Sequence, residues 1–219
     1  MSTLNILSGE LDGLVDALIT CVTPMDGTRS RALVEYLEHL PDRFRDLGYA
    51  VKEGENGNEI VDGKVMSWVY KLKSMDQEAP LVTFYRDLLM IEKSGMKLSP
   101  TAAALNYWLI YDRTDLPVEI TQLSFKSYTI PVEKDGTLPV TMFGKKVNFK
   151  RLKEKNIKFL LCYAGSDELV DSAAALAPVD FIDTVEVTKF PKGHGSIATS
   201  WSNPKSECAL HTVFDGQRG

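Results

Sequence analysis

Cysteine is scarce here and odd in number: three among 219 residues, at Cys21, Cys162 and Cys208. Thiols so few and so scattered build neither a disulfide framework nor a paired C-x-x-C metal site. H-E-x-x-H is missing too, so the sequence offers no metal-ligand spacing and predicts no metal or cofactor. Basic charge is in short supply. The net charge of −5, with no basic stripe interleaved with aromatics, argues against nucleic acid or an anionic membrane surface as the main partner. Long apolar runs are absent as well; the longest is short and interrupted by Asp16, so no membrane span is expected. The start, MSTLNILSGELDG, lacks the basic-then-apolar order of a signal peptide. Cys21 and Cys162 lie inside apolar strand-like runs, which predicts buried free thiols in a reducing compartment, the cytoplasm.

What is present is ordinary for a globular chain. Apolar content of 44% and charged content of 25% suit one domain, or one domain with a large insertion, able to bury a real core. Residues 14–22 (LVDALITCV) are aliphatic and β-branched and stop at Thr23-Pro24, as a buried strand of a parallel sheet would. Residues 29–47 place Leu33, Tyr36, Leu37, Leu40 and Phe44 at helical spacing, with Pro41 as a break. The glycine-rich, charged stretch 48–63 reads as a loop or hairpin. Residues 64–111 return to a helical pattern rich in aromatics and methionine, 119–128 read as helix, and 130–144 as irregular with an isolated strand. Two further strands are expected at 157–164 (IKFLLCYA) and 184–190 (TVEVTKF). No internal repeat or low-complexity segment occurs.

Those last two strands carry the chemistry. The first empties into Gly165-Ser166-Asp167, the second into Gly193-His194-Gly195, and functional groups in open parallel sheets gather past the carboxyl ends of strands. Asp167 there is either an acid that fixes a histidine tautomer or a turn residue capping the helix that follows. His194 is either a general base or an exposed loop histidine, and its pairing with Asp167 in the order acid then histidine favours the base. Strand, long insertion, strand with acid, helix, strand, histidine is the order of the second half of an α/β-hydrolase. The nucleophile of such a site sits on a turn of the form G-x-[SC]-x-G, and none of the 219 residues forms that pattern. Cys21 and Cys162 read as core packers; Ser166, Ser196 and Cys208 lack the strand-to-helix elbow; His39 and His211 read as unremarkable surface residues. Gly193-His194-Gly195-Ser196-Ile197-Ala198 imitates a dinucleotide fingerprint, but too little chain follows it to supply the ribose-binding acid.

Several segments together resemble the poly(3-hydroxyalkanoate) synthase family of α/β-hydrolase-fold acyltransferases. Asp112-Arg113-Thr114-Asp115-Leu116-Pro117 resembles its D-x-T-x-L-P stretch, and Val147-Asn148-Phe149 with the run to Asp167 resembles the segment that brings its aspartate. Lys192-Gly193-His194 matches its G-H turn, residues 14–26 resemble the strand ending in T-P-x-D, and residues 60–63 match more loosely. The proline that family has shortly after the aspartate is absent, where Val170 and Asp171 stand. The resemblance spans nearly the whole chain but begins after the family's G-x-C-x-G nucleophile motif. It implies a Cys-His-Asp triad acting on hydroxyacyl thioesters such as hydroxyacyl-CoA, with Asp167 and His194 inheriting the last two roles.

The expected architecture is therefore α/β: the C-terminal half of an α/β-hydrolase fold, a short parallel sheet flanked by helices, with a large mostly helical cap. Its parts are a first core strand region at 1–26, the cap at 27–146, and a C-terminal core at 147–219. The expected partner is an N-terminal half or a full-length synthase-like subunit bearing the nucleophile, or a second copy, because residues 14–22 would form an exposed apolar sheet edge. Alone, the chain is expected to be inactive. A non-enzymatic binding or assembly module and a related esterase or thioesterase are the alternatives the sequence leaves open.

Overall fold

The structure, a computed structural model, describes residues 1–31, 34, 35, 38, 48–66, 113–167, 169–191, 193, 194 and 205. The expected helices at 29–47 and 64–111 fall mostly outside the described residues. Along the chain, helix α1 (Ser2–Ser8) precedes strand β1 (Ala17–Cys21), and β2 (Val51–Glu53), β3 (Glu59–Val61) and β4 (Leu116–Pro117) follow. Then come α2 (Val118–Thr129), β5 (Thr137–Met142), β6 (Lys145–Asn148), α3 (Arg151–Glu154), β7 (Lys158–Ala164), α4 (Ser172–Ala175) and β8 (Val185–Phe190). Two compact units result: Met1–His39 with Leu123–Gly219, and Leu40–Gln122.

The first unit is of mixed α/β content and holds a short parallel sheet, ordered β1-β7-β8 and flanked by helices. Its middle strand decides the arrangement. β7 (KFLLCYA) buries four consecutive side chains, Phe159 to Cys162, so it needs cover on both faces and neighbours on both edges. β1 instead alternates, with Leu18 and Thr20 buried and Ile19 half exposed, as a strand with one face toward the main cluster does. On one face of β7, Phe159 and Leu161 join Leu4, Ile6 and Leu7 of α1, Val147 of β6 and Leu152 of α3 in one apolar cluster. On the other face lie Leu160, Cys162 and Phe190, with Cys21 packed against them.

The stretch 130–144 is more regular than its sequence suggests. β5 pairs antiparallel with β6, and Phe143 (φ 52°) and Gly144 (φ 73°) form the tight turn between them. Two consecutive left-handed residues twist as the strands do, and glycine at the second makes that cheap. The strand Lys145–Asn148 escapes a reading by alternation because only Val147 of its four residues is apolar.

In the second unit, the loop or hairpin expected at 48–63 is a hairpin: β2 and β3 pair antiparallel, and β4 adds to the far edge of β3. A polar clamp fastens it. Lys52 Nζ bonds Asp62 Oδ2 and Asp115 Oδ2, each at 2.9 Å. Asp115 Oδ1 accepts from Gly63 N at 2.8 Å, while Asp62 Oδ1 caps the following turn through Lys64 N and Val65 N. The Gly63 amide and then Lys52 hold the Asp115 carboxyl below its ordinary range, and Lys52 foremost does the same for Asp62.

Two outcomes follow from this packing. Leu161→Ala, in the fully buried strand, should cost about 2–5 kcal/mol in equilibrium unfolding, and a loss under about 1 kcal/mol would contradict close packing at that position. The clamp's carboxyls have lowered folded pKa values, so their stabilisation is complete above the unfolded value of about 4 and fades as pH falls through the folded ones. Amide exchange in the β2–β3 hairpin should therefore accelerate selectively at strongly acid pH, and Asp115→Asn should abolish most of that dependence.

Candidate active site

The parallel sheet brings two loops together at its carboxyl edge. β7 ends at Ala164 and β8 at Phe190, and Gly165 N donates to Phe190 O at 2.8 Å, so both strands stop at one level. The turn Gly165-Ser166 then leads to Asp167, and Pro191 begins the segment to His194. Gly193 runs so close beneath the first turn that a Cβ there would lie 3.1 Å from Ser166 O. A side chain there would require Ser166 O to give by a few tenths of an ångström.

Asp167 and His194 meet. His194 Nδ1 lies 3.0 Å from Asp167 Oδ2, across 27 residues of sequence. The side chain of Asp167 is 2% exposed and that of His194 42%. Burying a carboxylate requires donors for its lone pairs, and both oxygens of Asp167 have them. Oδ1 accepts from Leu169 N at 2.9 Å and Val170 N at 2.8 Å; Oδ2 is turned to the imidazole. Oδ1 thus binds turn amides rather than capping the following helix, which begins at Ser172 with Asp171 at its N-cap, while Oδ2 faces the histidine. Because a carboxylate only accepts, Nδ1 is the protonated nitrogen facing it, and in the neutral ring Nε2 keeps its lone pair. That is the tautomer able to take a proton.

A second segment, of which the sequence marks only the T-P-x-D end at Asp26, holds the acid loop from behind. Ser30 is fully buried; its Oγ donates to Leu169 O and accepts from Asp171 N, both at 3.2 Å. Asp171 Oδ2 accepts from Arg31 N at 2.6 Å, and Met25 N and Asp26 N both donate to Ala174 O, at 3.0 and 3.1 Å. The residues bracketing the two amides on Asp167 are thereby fixed to the chain that follows β1. Asp26 sets the shape of that chain. Buried, it accepts from Thr28 N, Thr28 Oγ1, Arg29 Nε and Val132 N, and Arg29 continues to Asp180. The run Asp26-Gly27-Thr28-Arg29 carries a turn signal that sequence reading could use; nothing in the sequence marks Ser30.

The other sequence candidates separate. Ser166 is exposed in the turn before Asp167. Cys162 is buried in β7 and Cys21 half-buried at the end of β1, both as free thiols. Ser196, Cys208, His39 and His211 lie outside the described residues. Among the described residues no group of three or more His, Cys, Asp or Glu side chains is placed to hold a metal ion, and no helix is long and apolar enough to cross a membrane. Comparison with family models, with curated proteins and with solved structures finds no match.

The hydrogen bond fixes a tautomer that can be read directly. In Asp167→Asn, the side-chain oxygen can keep the two backbone amides, which turns the NH₂ toward the imidazole. Nδ1 must then accept, and the proton moves to Nε2. Long-range ¹H–¹⁵N spectra of the neutral His194 ring should show the Nδ1–H form in the native chain and the Nε2–H form in Asp167→Asn. The same tautomer in both would mean that Asp167 does not set it.

Proposed function

We propose that Asp167 and His194 are the acid and the base of an acyl-transfer site of the α/β-hydrolase kind, working with a nucleophile that these 219 residues do not supply. The observation that carries the reading is the buried Asp167 carboxylate, pinned by two amides on one oxygen and turned to His194 Nδ1 on the other. Three features agree with it: the parallel order β1-β7-β8, the acid after β7, and the histidine after β8.

In this reading His194 Nε2 takes the proton of a thiol or hydroxyl as it attacks an acyl carbonyl. Asp167 steadies the imidazolium that forms, then the same nitrogen returns the proton to the leaving group. The resemblance to poly(3-hydroxyalkanoate) synthases suggests a cysteine nucleophile within G-x-C-x-G and hydroxyacyl thioesters as substrates. β1 offers the place for its carrier to join. Among the described residues its one strand partner is β7, and Ile19, 51% exposed, stands on that edge. Unpaired strand edges accept further strands.

The test is turnover of hydroxyacyl-CoA by the purified chain, alone and mixed with a synthase-type polypeptide carrying G-x-C-x-G but mutated at its own histidine. The chain alone should show none. The mixture should show turnover that falls by about 10²–10⁴ with His194→Ala, the usual contribution of a general base. Turnover by the chain alone that disappears with His194→Ala would place the nucleophile within it and overturn the proposed division. Association without any turnover would favour the binding-module alternative.

A further inference from the structure

A second cluster of reactive groups lies on the same sheet, on the face opposite the main apolar cluster. Cys21 and Cys162 are direct register partners across β1 and β7, and Thr188 of β8 is the register partner of Cys162 on its other side. Side chains in register on adjacent parallel strands point to the same face, so the three form a row: thiol, thiol, hydroxyl. Neither thiol is in a disulfide. Thr188 is buried, and its Oγ1 has no hydrogen-bond partner among the described residues. A buried hydroxyl without a partner is uncommon in a folded protein and calls for an explanation.

We propose that Cys21 and Cys162 form a peroxide-reactive dithiol, with Cys21 as the attacking sulfur, Cys162 as the resolving one, and Thr188, the register partner of Cys162, as the donor to that resolving sulfur as it gives up its proton. The division of labour follows from access. Cys162 is 1% exposed, whereas Cys21, the last residue of β1, is half-buried and within reach of a small oxidant. Hydrogen bonding from the Cys162 thiol brings the Cys21 pKa down to about 7, and the same bond pushes Cys162 up. The thiolate, rather than the thiol, is the nucleophile, so the more accessible sulfur is also the activated one.

The backbone holds the pair in place. Val22, directly after Cys21, sits at φ 46°, a left-handed conformation costly for a β-branched residue. Its amide donates to Cys162 O at 2.8 Å. The strand-to-loop junction is therefore tied to the partner cysteine at the cost of local strain, and such strain gathers at functional positions.

The reaction balances with hydrogen peroxide alone. The Cys21 thiolate attacks one peroxide oxygen; the S–O bond forms, the O–O bond breaks, and the second oxygen leaves as water after taking a proton. The Cys162 sulfur then attacks the Cys21 sulfenic acid, the S–S bond forms, and the S–O bond breaks. The oxygen leaves as a second water, carrying the proton from Cys162. Two thiols lose two electrons and the peroxide gains them. Adjacent strands lie about 4.7–4.9 Å apart, inside the roughly 4.4–6.8 Å between Cα atoms that a disulfide spans. Parallel Cβ vectors do not converge as a relaxed disulfide prefers, so the bond should be readily reduced by cellular thiols.

Peroxide treatment of the folded full chain, followed by intact mass and peptide mapping, tests this. The native chain and Cys208→Ser should each lose two hydrogen atoms and yield a peptide pair joined through Cys21 and Cys162, reversed by dithiothreitol. The rate should rise as pH passes about 7. Cys162→Ser should stop at a sulfenic acid on Cys21 that dimedone traps. A bridge to Cys208, an oxygen adduct on Cys21 of the native chain without closure, or an unreactive Cys21 would each overturn the proposal. Should Cys162→Ser fail to fold, the native map decides alone.

Discussion

A carboxylate kept almost entirely from water must be given donors by the chain around it, and Asp167 imposes that demand on its neighbourhood. Two amides from the residues just after it satisfy one oxygen, which requires the chain to turn at once on leaving β7. The other oxygen is met by an imidazole from beyond β8, which requires β8 to lie alongside β7 and to end level with it. The parallel pairing, the glycine beneath Ser166 and the turn at residues 165–167 all serve these contacts. Removing the histidine would leave one oxygen of a buried charge without its donor, and an unsatisfied buried charged group costs several kcal/mol. The meeting of the two loops thus rests on one hydrogen bond.

The same demand explains why the chain after β1 is built as it is. Leu169, Val170 and Asp171 can present their amides inward only if their own polar groups are satisfied elsewhere. Ser30 meets two of these needs with a single hydroxyl, donating to Leu169 O and accepting from Asp171 N. Asp26 in turn keeps Ser30 in position by closing the short 3-10 turn over Gly27–Arg29. Its carboxylate is nearly as buried as that of Asp167, and four donors surround it. Two buried acids at the ends of neighbouring segments, one holding the other's loop, tie this edge of the sheet to the chain that follows β1.

How much of this the sequence discloses depends on the range of the interaction. β7 is legible because four consecutive apolar residues between turn signals admit few readings, and β8 because Val185, Val187 and Phe190 fall within a short β-rich run. The pairing of Asp167 with His194 is legible at one remove: both follow such strands, and parallel strands end together. The rest is not, for physical reasons. β6 is a strand because β5 lies beside it across a two-residue turn, while its own residues, Lys145-Lys146-Val147-Asn148, are polar in all but one position. Ser30 acts through partners about 140 residues away, and serine is common in any turn. The register that sets Cys21 against Cys162 is a tertiary fact; locally each is one more apolar strand residue.

Register joins these separate features. A strand's side chains alternate faces, so sliding β1 by one residue along β7 would carry Leu18 out of the main cluster and set Cys21 against a neighbour on the wrong face. The same slip between β7 and β8 would break the level ending that brings Gly165 to Phe190, and with it the meeting of the Asp167 and His194 loops. Phe159 and Leu161 on one face of β7, and Leu160 and Cys162 on the other, resist either slip by hydrophobic burial alone, at about 1.5–3 kcal/mol for each large side chain kept from water. The apolar side chains that look least functional are therefore what holds Asp167 to His194 at hydrogen-bonding distance and keeps Cys21 in register with Cys162.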